Sequence, residues 1–125
     1  MNRIKLGVYA DRNNITGEKI IERIGLSDVI QFEKLIDKKV DSVMWYPTWN
    51  TMQSKSNFPI ESVKLVDQHG AIPHLTWELM LPDGDPLNSK IMLDDVISGK
   101  YDAYLTSYAK DVKKWGKEIC RVGII

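Results

Sequence analysis

The chain has 125 residues, 43% of them hydrophobic and 27% charged, a composition ordinary for one globular domain that buries roughly two-thirds of its unfolded surface. Seventeen Lys and Arg balance seventeen Asp and Glu, which leaves no basic excess to displace counterions from a nucleic acid and no polybasic patch for a membrane, so neither partner is expected. Cys120 is the single cysteine, which excludes an intramolecular disulfide and a thiolate metal cluster.

Residues 1–12 hold no apolar run long enough for a signal-peptide core, and no segment approaches the roughly 20 apolar residues of a membrane span. A cytoplasmic protein and an exported one whose signal is removed are both compatible with this. No repeat or long linker divides the chain, so residues 1–125 are read as a single domain.

The apolar run 4–9 (IKLGVY) reads as a first strand, ended by the polar cluster 11–14. Ser27 is a candidate N-cap for a helix carrying Val29, Ile30, Phe32, Leu35 and Ile36 at helical spacing. Lys38 and Lys39 are expected in its last turn, where cations suit the dipole. Residues 40–46 (VDSVMWY) read as a second strand ended by Pro47, followed by a polar loop over 48–59. Pro59 suits the first turn of a helix bearing Ile60, Val63, Leu65 and Val66, and Gly70 closes it.

Residues 71–77 (AIPHLTW) form the third predicted strand, and 79–90, with two prolines and Gly84, a long loop. Leu93, Val96 and Ile97 suggest a short helical turn ended by Gly99. Tyr101, Tyr104, Leu105, Tyr108, Val112 and Trp115 recur every three or four residues, marking a longer amphipathic helix stopped by Gly116. Residues 119–125 (ICRVGII) read as the last strand. The expected order is β-α-β-α-β-α-β, a parallel sheet with right-handed crossovers, whose functional sites lie beyond the carboxyl ends of the strands.

Aromatic residues gather at those ends: Trp45, Tyr46 and Trp49 after the second strand, and Trp77 with Glu78 after the third. Aromatic faces stack on the C–H faces of sugars, and a carboxylate accepts sugar hydroxyls, so this group is a candidate glycan site. Packing in the core is the competing role for aromatic residues so placed, and a solvated loop charge the competing role for Glu78. His74, in mid-strand, is expected to be buried and hydrogen-bonded, and His69 to sit at a helix C-terminus. The two histidines make no metal site, and no cofactor is expected. Gly7 begins neither dinucleotide nor P-loop spacing, and no G-x-S-x-G elbow exists. Asp83-Gly84-Asp85 opens like a calcium loop but lacks the later ligands, and reads as a turn.

From the second strand onward the chain resembles glycoside hydrolase family 26, which contains β-mannanases and endo-β-glucanases. Three stretches carry the resemblance: Phe32-Glu33-Lys34 through Val43-Met44-Trp45-Tyr46; Pro73-His74-Leu75-Thr76-Trp77-Glu78; and Leu93, Val96 and Ile97 leading to Gly99-Lys100-Tyr101-Asp102, Tyr104, Ala109, Asp111 and Lys113 through Trp115-Gly116. The resemblance implies a four-stranded half of a (β/α)8 TIM-type barrel. It also implies substrate-binding roles for Trp77 and Glu78, and secondarily for Trp45, with a β-linked polysaccharide or oligosaccharide as partner; Tyr46 and Trp49 are substrate-binding candidates from their place at the strand end.

Family members are retaining enzymes with an acid/base glutamate after the fourth strand and a nucleophile after the seventh. Residues 118–125 depart from the fourth-strand pattern, with Arg121 early. Neither glutamate has a match, so no catalytic residue is assigned and the chain is expected to be inactive alone. An uncovered inward face carrying Leu6, Val8, Val43 and Ile72, or their neighbours, would be hidden by homodimerisation or by flattening into an open sheet. A carbohydrate-binding module and a structural piece are the alternatives; a nucleotide-binding domain is disfavoured by the missing phosphate loop.

Overall fold

The three longer described helices form where apolar side chains three or four positions apart meet the core, and each of them stops where the backbone turns left-handed. In the computed structural model, which describes residues 3–9, 26–49, 55–79 and 93–124, with side chains through Ile119, helix α1 spans Ser27–Ile36 and buries Val29 and Glu33, one turn apart. Asp37 (φ 51°) ends it. Lys38 and Lys39 therefore lie beyond the helix, and Lys34 is the cation in its last turn. Ser27 is the first helical residue, not the cap: Leu26 holds that position, and its carbonyl accepts the Ile30 N–H at 2.9 Å.

Helix α2 spans Ile60–His69, buries Ser62, Val63 and Val66, and ends at Gly70 (φ 92°). Helix α3 is a short Leu93–Ile97 segment whose Asp94 and Asp95 suit its N-terminal dipole. Gly99 (φ 87°) turns the chain into α4, Asp102–Trp115, which buries Tyr104 and Tyr108 one turn apart and stops at Gly116 (φ 67°).

The strands are β1 Gly7–Tyr9, β2 Ser42–Trp45, β3 Ile72–Trp77 and β4 Cys120–Ile124, side by side in that order and parallel. β1, β2 and β3 hold one unbroken register, with Val8 beside Val43 and Val43 beside Pro73. β4 does not continue it. His74 faces Cys120 while Thr76 faces Gly123, so β4 takes three steps where β3 takes two.

The expected β-α-β-α-β-α-β half of a (β/α)8 barrel is thereby corrected. The chain is a small α/β unit of order β-α-β-α-β-α-α-β, with four helices packed on a regular parallel sheet of three strands. The predicted turn at 93–97 is a helix of its own. The register break at β4 interrupts the uniform stagger that a closed barrel carries from strand to strand.

Strand alternation sorts side chains between two faces. Val43 and Leu75 (both 0% exposed), Trp45 (1%) and Trp77 (6%) meet Val29, Val63, Val66, Tyr104 and Tyr108 in the core beneath the helices. Leu6 and Val8 pack against this core from the same side. The opposite face presents Tyr9, Ser42, Met44, Ile72, His74 and Thr76, half-buried or exposed. The expected apolar inward face is therefore also corrected: Val8 and Val43 point to the helices, and of the four named residues only Ile72 falls on the other face. His74 likewise stands half-buried on that face, away from the core.

Candidate functional site

The rim at the carboxyl ends of β2 and β3 is closed by backbone bonds. Pro47 ends β2, and the chain turns alongside β3 rather than away from it. The Glu78 N–H donates to the Pro47 carbonyl at 2.8 Å, the Trp49 N–H donates to the Glu78 carbonyl at 3.1 Å, and Thr48 bridges Glu78 in parallel fashion. These bonds bring Trp45, Tyr46, Trp49, Trp77 and Glu78 to one rim.

Within that rim the five residues divide. The Trp45, Trp49 and Trp77 rings are buried. Trp49 lies 4.8 Å from Trp77 (ring centroids, 33° apart), and Trp77 stacks on Tyr108 at 4.0 Å and 21°. Tyr104 packs beside both, 5.7 Å from Trp49 and 6.0 Å from Trp77, and Tyr101 meets Trp49 edge-on at 6.1 Å. The Tyr104 hydroxyl donates to Asn57 Oδ1, and the Asn57 amide donates to the Thr48 carbonyl at 2.8 Å, tying α4 to the chain that follows β2. Indole faces in this stack are occupied by one another. The Nε1 donors of Trp45, Trp49 and Trp77 and the Thr48 hydroxyl are buried without a hydrogen-bond partner among the described residues.

Tyr46 and Glu78 stand apart from the stack. Both are half-buried, and alternation puts them on the face shared by Met44, His74 and Thr76. Tyr46 meets Tyr9 edge-to-face at 5.4 Å and 68°, and Tyr9 is 54% exposed. A Cβ at Gly7 would stand 2.7 Å from Ser42 Oγ, so glycine lets β1 approach β2 below this tyrosine pair. Tyr9, His74 and Thr76 thus join the rim residues on the open face. Reading β3 by period two instead of as one apolar run is the signal that finds His74 and Thr76.

The opposite end of the sheet is held by a charged contact. Glu33 on α1 is 5% exposed; its carboxylate accepts the Val40 N–H at 3.1 Å and meets His69 Nε2 of α2 at 2.5 Å, with Lys39 Nζ at 3.7 Å. Burial alone would raise the Glu33 pKa; the Val40 N–H, His69 and Lys39 outweigh it and hold the carboxyl below its ordinary value of 4.5. Asp41 is held low as well, chiefly by the Leu6 N–H at 2.8 Å, against a smaller opposing effect of burial, and with help from the Arg3 guanidinium.

Among the described residues no three His, Cys, Asp or Glu gather as a metal site, and no helix is long and apolar enough to cross a membrane. The predicted turn at Asp83-Gly84-Asp85 and the polar cluster 11–14 lie outside the described residues.

The chain is 32% identical over 93 residues to Endoglucanase H of Acetivibrio thermocellus. The matched segment is 74% of this chain and 9% of that protein, so the chain spans under a tenth of its relative's length. The likeness is coarse, a relationship to a glycoside hydrolase. No family model matches the chain, and no solved structure matches it.

Proposed function

We propose that the β2–β3 rim is a β-glycan contact site of family 26 type, and that this chain holds a β-linked glucan or mannan without cutting it. The observation that carries the reading is the rim itself: backbone bonds from Pro47 and Trp49 to Glu78 hold the ends of β2 and β3 together, with Glu78 and the Tyr9–Tyr46 pair on one face and the aromatic stack on the other. Sugar hydroxyls donate well to a carboxylate, and sugar C–H faces lie against tyrosine rings. In this site Tyr46 and Glu78 meet the glycan directly, while Trp45, Trp49 and Trp77 form the layer beneath that fixes the rim's shape. The sequence likeness to an endoglucanase supports a carbohydrate ligand.

Retaining hydrolysis needs two carboxyl groups about 5–5.5 Å apart across the scissile bond. No residue here matches either family glutamate, so binding without turnover is the activity expected of these 125 residues. A purely structural role is the second reading, favoured by the burial of the three indoles.

Affinity electrophoresis in gels cast with barley β-glucan, mannan or no polysaccharide separates the two. A glycan-binding chain is retarded by one of the β-glycans, and Tyr46→Ala and Glu78→Ala abolish the retardation. Equal mobility in all gels refutes binding. Cleavage of β-glucan by the purified chain, removed by a substitution within it, refutes the non-catalytic part.

A further inference from the structure

Helices α2 and α4 are pinned to one another at two levels. Near the start of α2, the Ser56 N–H donates to Ser107 Oγ at 3.0 Å, and Phe58 meets Tyr108 edge-on at 5.5 Å. Near its end, Lys117 Nζ donates to Asp67 Oδ2 at 2.9 Å and lies 5.3 Å from the centre of the Trp115 ring. Between the pins the helices do not close on each other, and a cavity of about 400 Å³ opens there. Small-molecule sites span roughly 300–1,000 Å³, so this one has room for a small ligand.

The lining sets the class of ligand. Phe58, Ile60 and the half-buried Trp115 give the cavity an apolar wall. Asp111, Lys114 and Lys64, all exposed, give it one carboxylate and two ammonium groups. The Asp111 and Lys114 side chains hold no hydrogen bond or ion pair among the described residues. Lys64 pairs with Glu61 at 3.6 Å, an exposed contact of little worth that a ligand can displace. The carboxylate opposes an anion in the cavity, and the two ammonium groups oppose a cation. A neutral polyol with C–H faces meets every group: its hydroxyls donate to Asp111 and accept from Lys114 and Lys64, while a C–H face lies against Trp115. We infer that this groove is a saccharide site for one or two pyranose units of a neutral sugar, on the opposite side of the sheet from Tyr46 and Glu78 and independent of the rim. One half-buried indole and a few solvated polar groups make a weak site, with a dissociation constant in the millimolar range.

Titration of the whole chain with cellobiose and with mannobiose up to about 50 mM, followed by ¹H–¹⁵N NMR, tests this. The Trp115 indole N–H and the amides of Asp111 and Lys114 should shift saturably with at least one disaccharide. They should shift equally in Glu78→Ala, which removes a rim group and leaves the groove intact. Asp111→Ala and Lys114→Ala, both at exposed positions, should each weaken the response about fivefold or more with an unchanged circular dichroism spectrum. Acetate, an anion, and phenylalanine, an aromatic zwitterion, serve as competing ligands at the same concentrations. A Trp115 signal unmoved by both disaccharides, a response indifferent to Asp111→Ala and Lys114→Ala, or a response larger for acetate or phenylalanine would each overturn the saccharide groove. A groove response that disappears in Glu78→Ala would overturn its independence and assign the sugar to the rim.

Discussion

The two faces of β3 carry alternate residues of one six-residue strand and do different work. Pro73, Leu75 and Trp77 point to the helices and are buried; Ile72, His74 and Thr76 point the other way and are half-buried. β2 repeats the division, with Val43 and Trp45 beneath the helices and Ser42 and Met44 opposite. Sequence neighbours such as Trp77 and Glu78, or Trp45 and Tyr46, therefore belong to different environments although both reach the same rim. Adjacency in sequence groups them as one aromatic cluster, whereas the pleat separates support from contact.

Removing a supporting ring should cost the fold most. Trp77→Ala deletes the ring that stacks on Tyr108 and meets Trp49 and Tyr104, and should lower unfolding free energy by about 3–5 kcal/mol in urea titrations. Stability near wild type would show that the stack is not the core.

Glu33→Ala comes next. It leaves the buried Val40 N–H without its acceptor and unlinks α1 from α2, a loss of about 1–3 kcal/mol by the same titration.

The conservative Glu33→Gln reads the charge through pH. Because the folded carboxyl titrates below its ordinary value of 4.5, its stabilisation is fully present above that value and fades as pH falls through the lowered folded value. Thermal melts should show the wild type losing more stability than Glu33→Gln between about pH 5 and pH 3. Parallel losses would dismiss the Glu33–His69 contact as a source of acid lability, leaving Asp41 among the groups held low.

The smallest effect belongs to the open face. His74→Ala should change stability by less than about 0.5 kcal/mol, because His74 is half-buried and lies outside the core beneath the helices.

Much of the secondary structure is legible in the sequence. The apolar runs around β2 and β3 and the three-to-four spacing of Tyr101 to Trp115 mark real elements, and Gly70 and Gly116 end helices in the left-handed conformation that favours glycine. Local pattern fails where the deciding contact is distant. Ser27 has the chemistry of a cap, but the chain enters α1 through Leu26. Short apolar strands do not reveal which side the helices cover, so Val43 and Ile72, on opposite faces, look alike. The burial of Trp49 and Trp77 depends on tyrosines more than twenty positions later in the chain. The slip at β4 lies in pairing with β3 and has no composition of its own. Glu33 and His69, 36 residues apart, meet only because consecutive crossovers place α1 beside α2.

The division between support and contact is tested most directly by solution NMR with a soluble paramagnetic agent, followed by titration with a mixed-linkage β-gluco-oligosaccharide. The Trp45, Trp49 and Trp77 indole resonances should resist broadening by the agent, and the oligosaccharide should shift the amides of Tyr46 and Glu78 and the Tyr9 ring first. Indoles broadened as strongly as exposed backbone amides, with the sugar perturbing them ahead of Tyr46 and Glu78, would contradict that division.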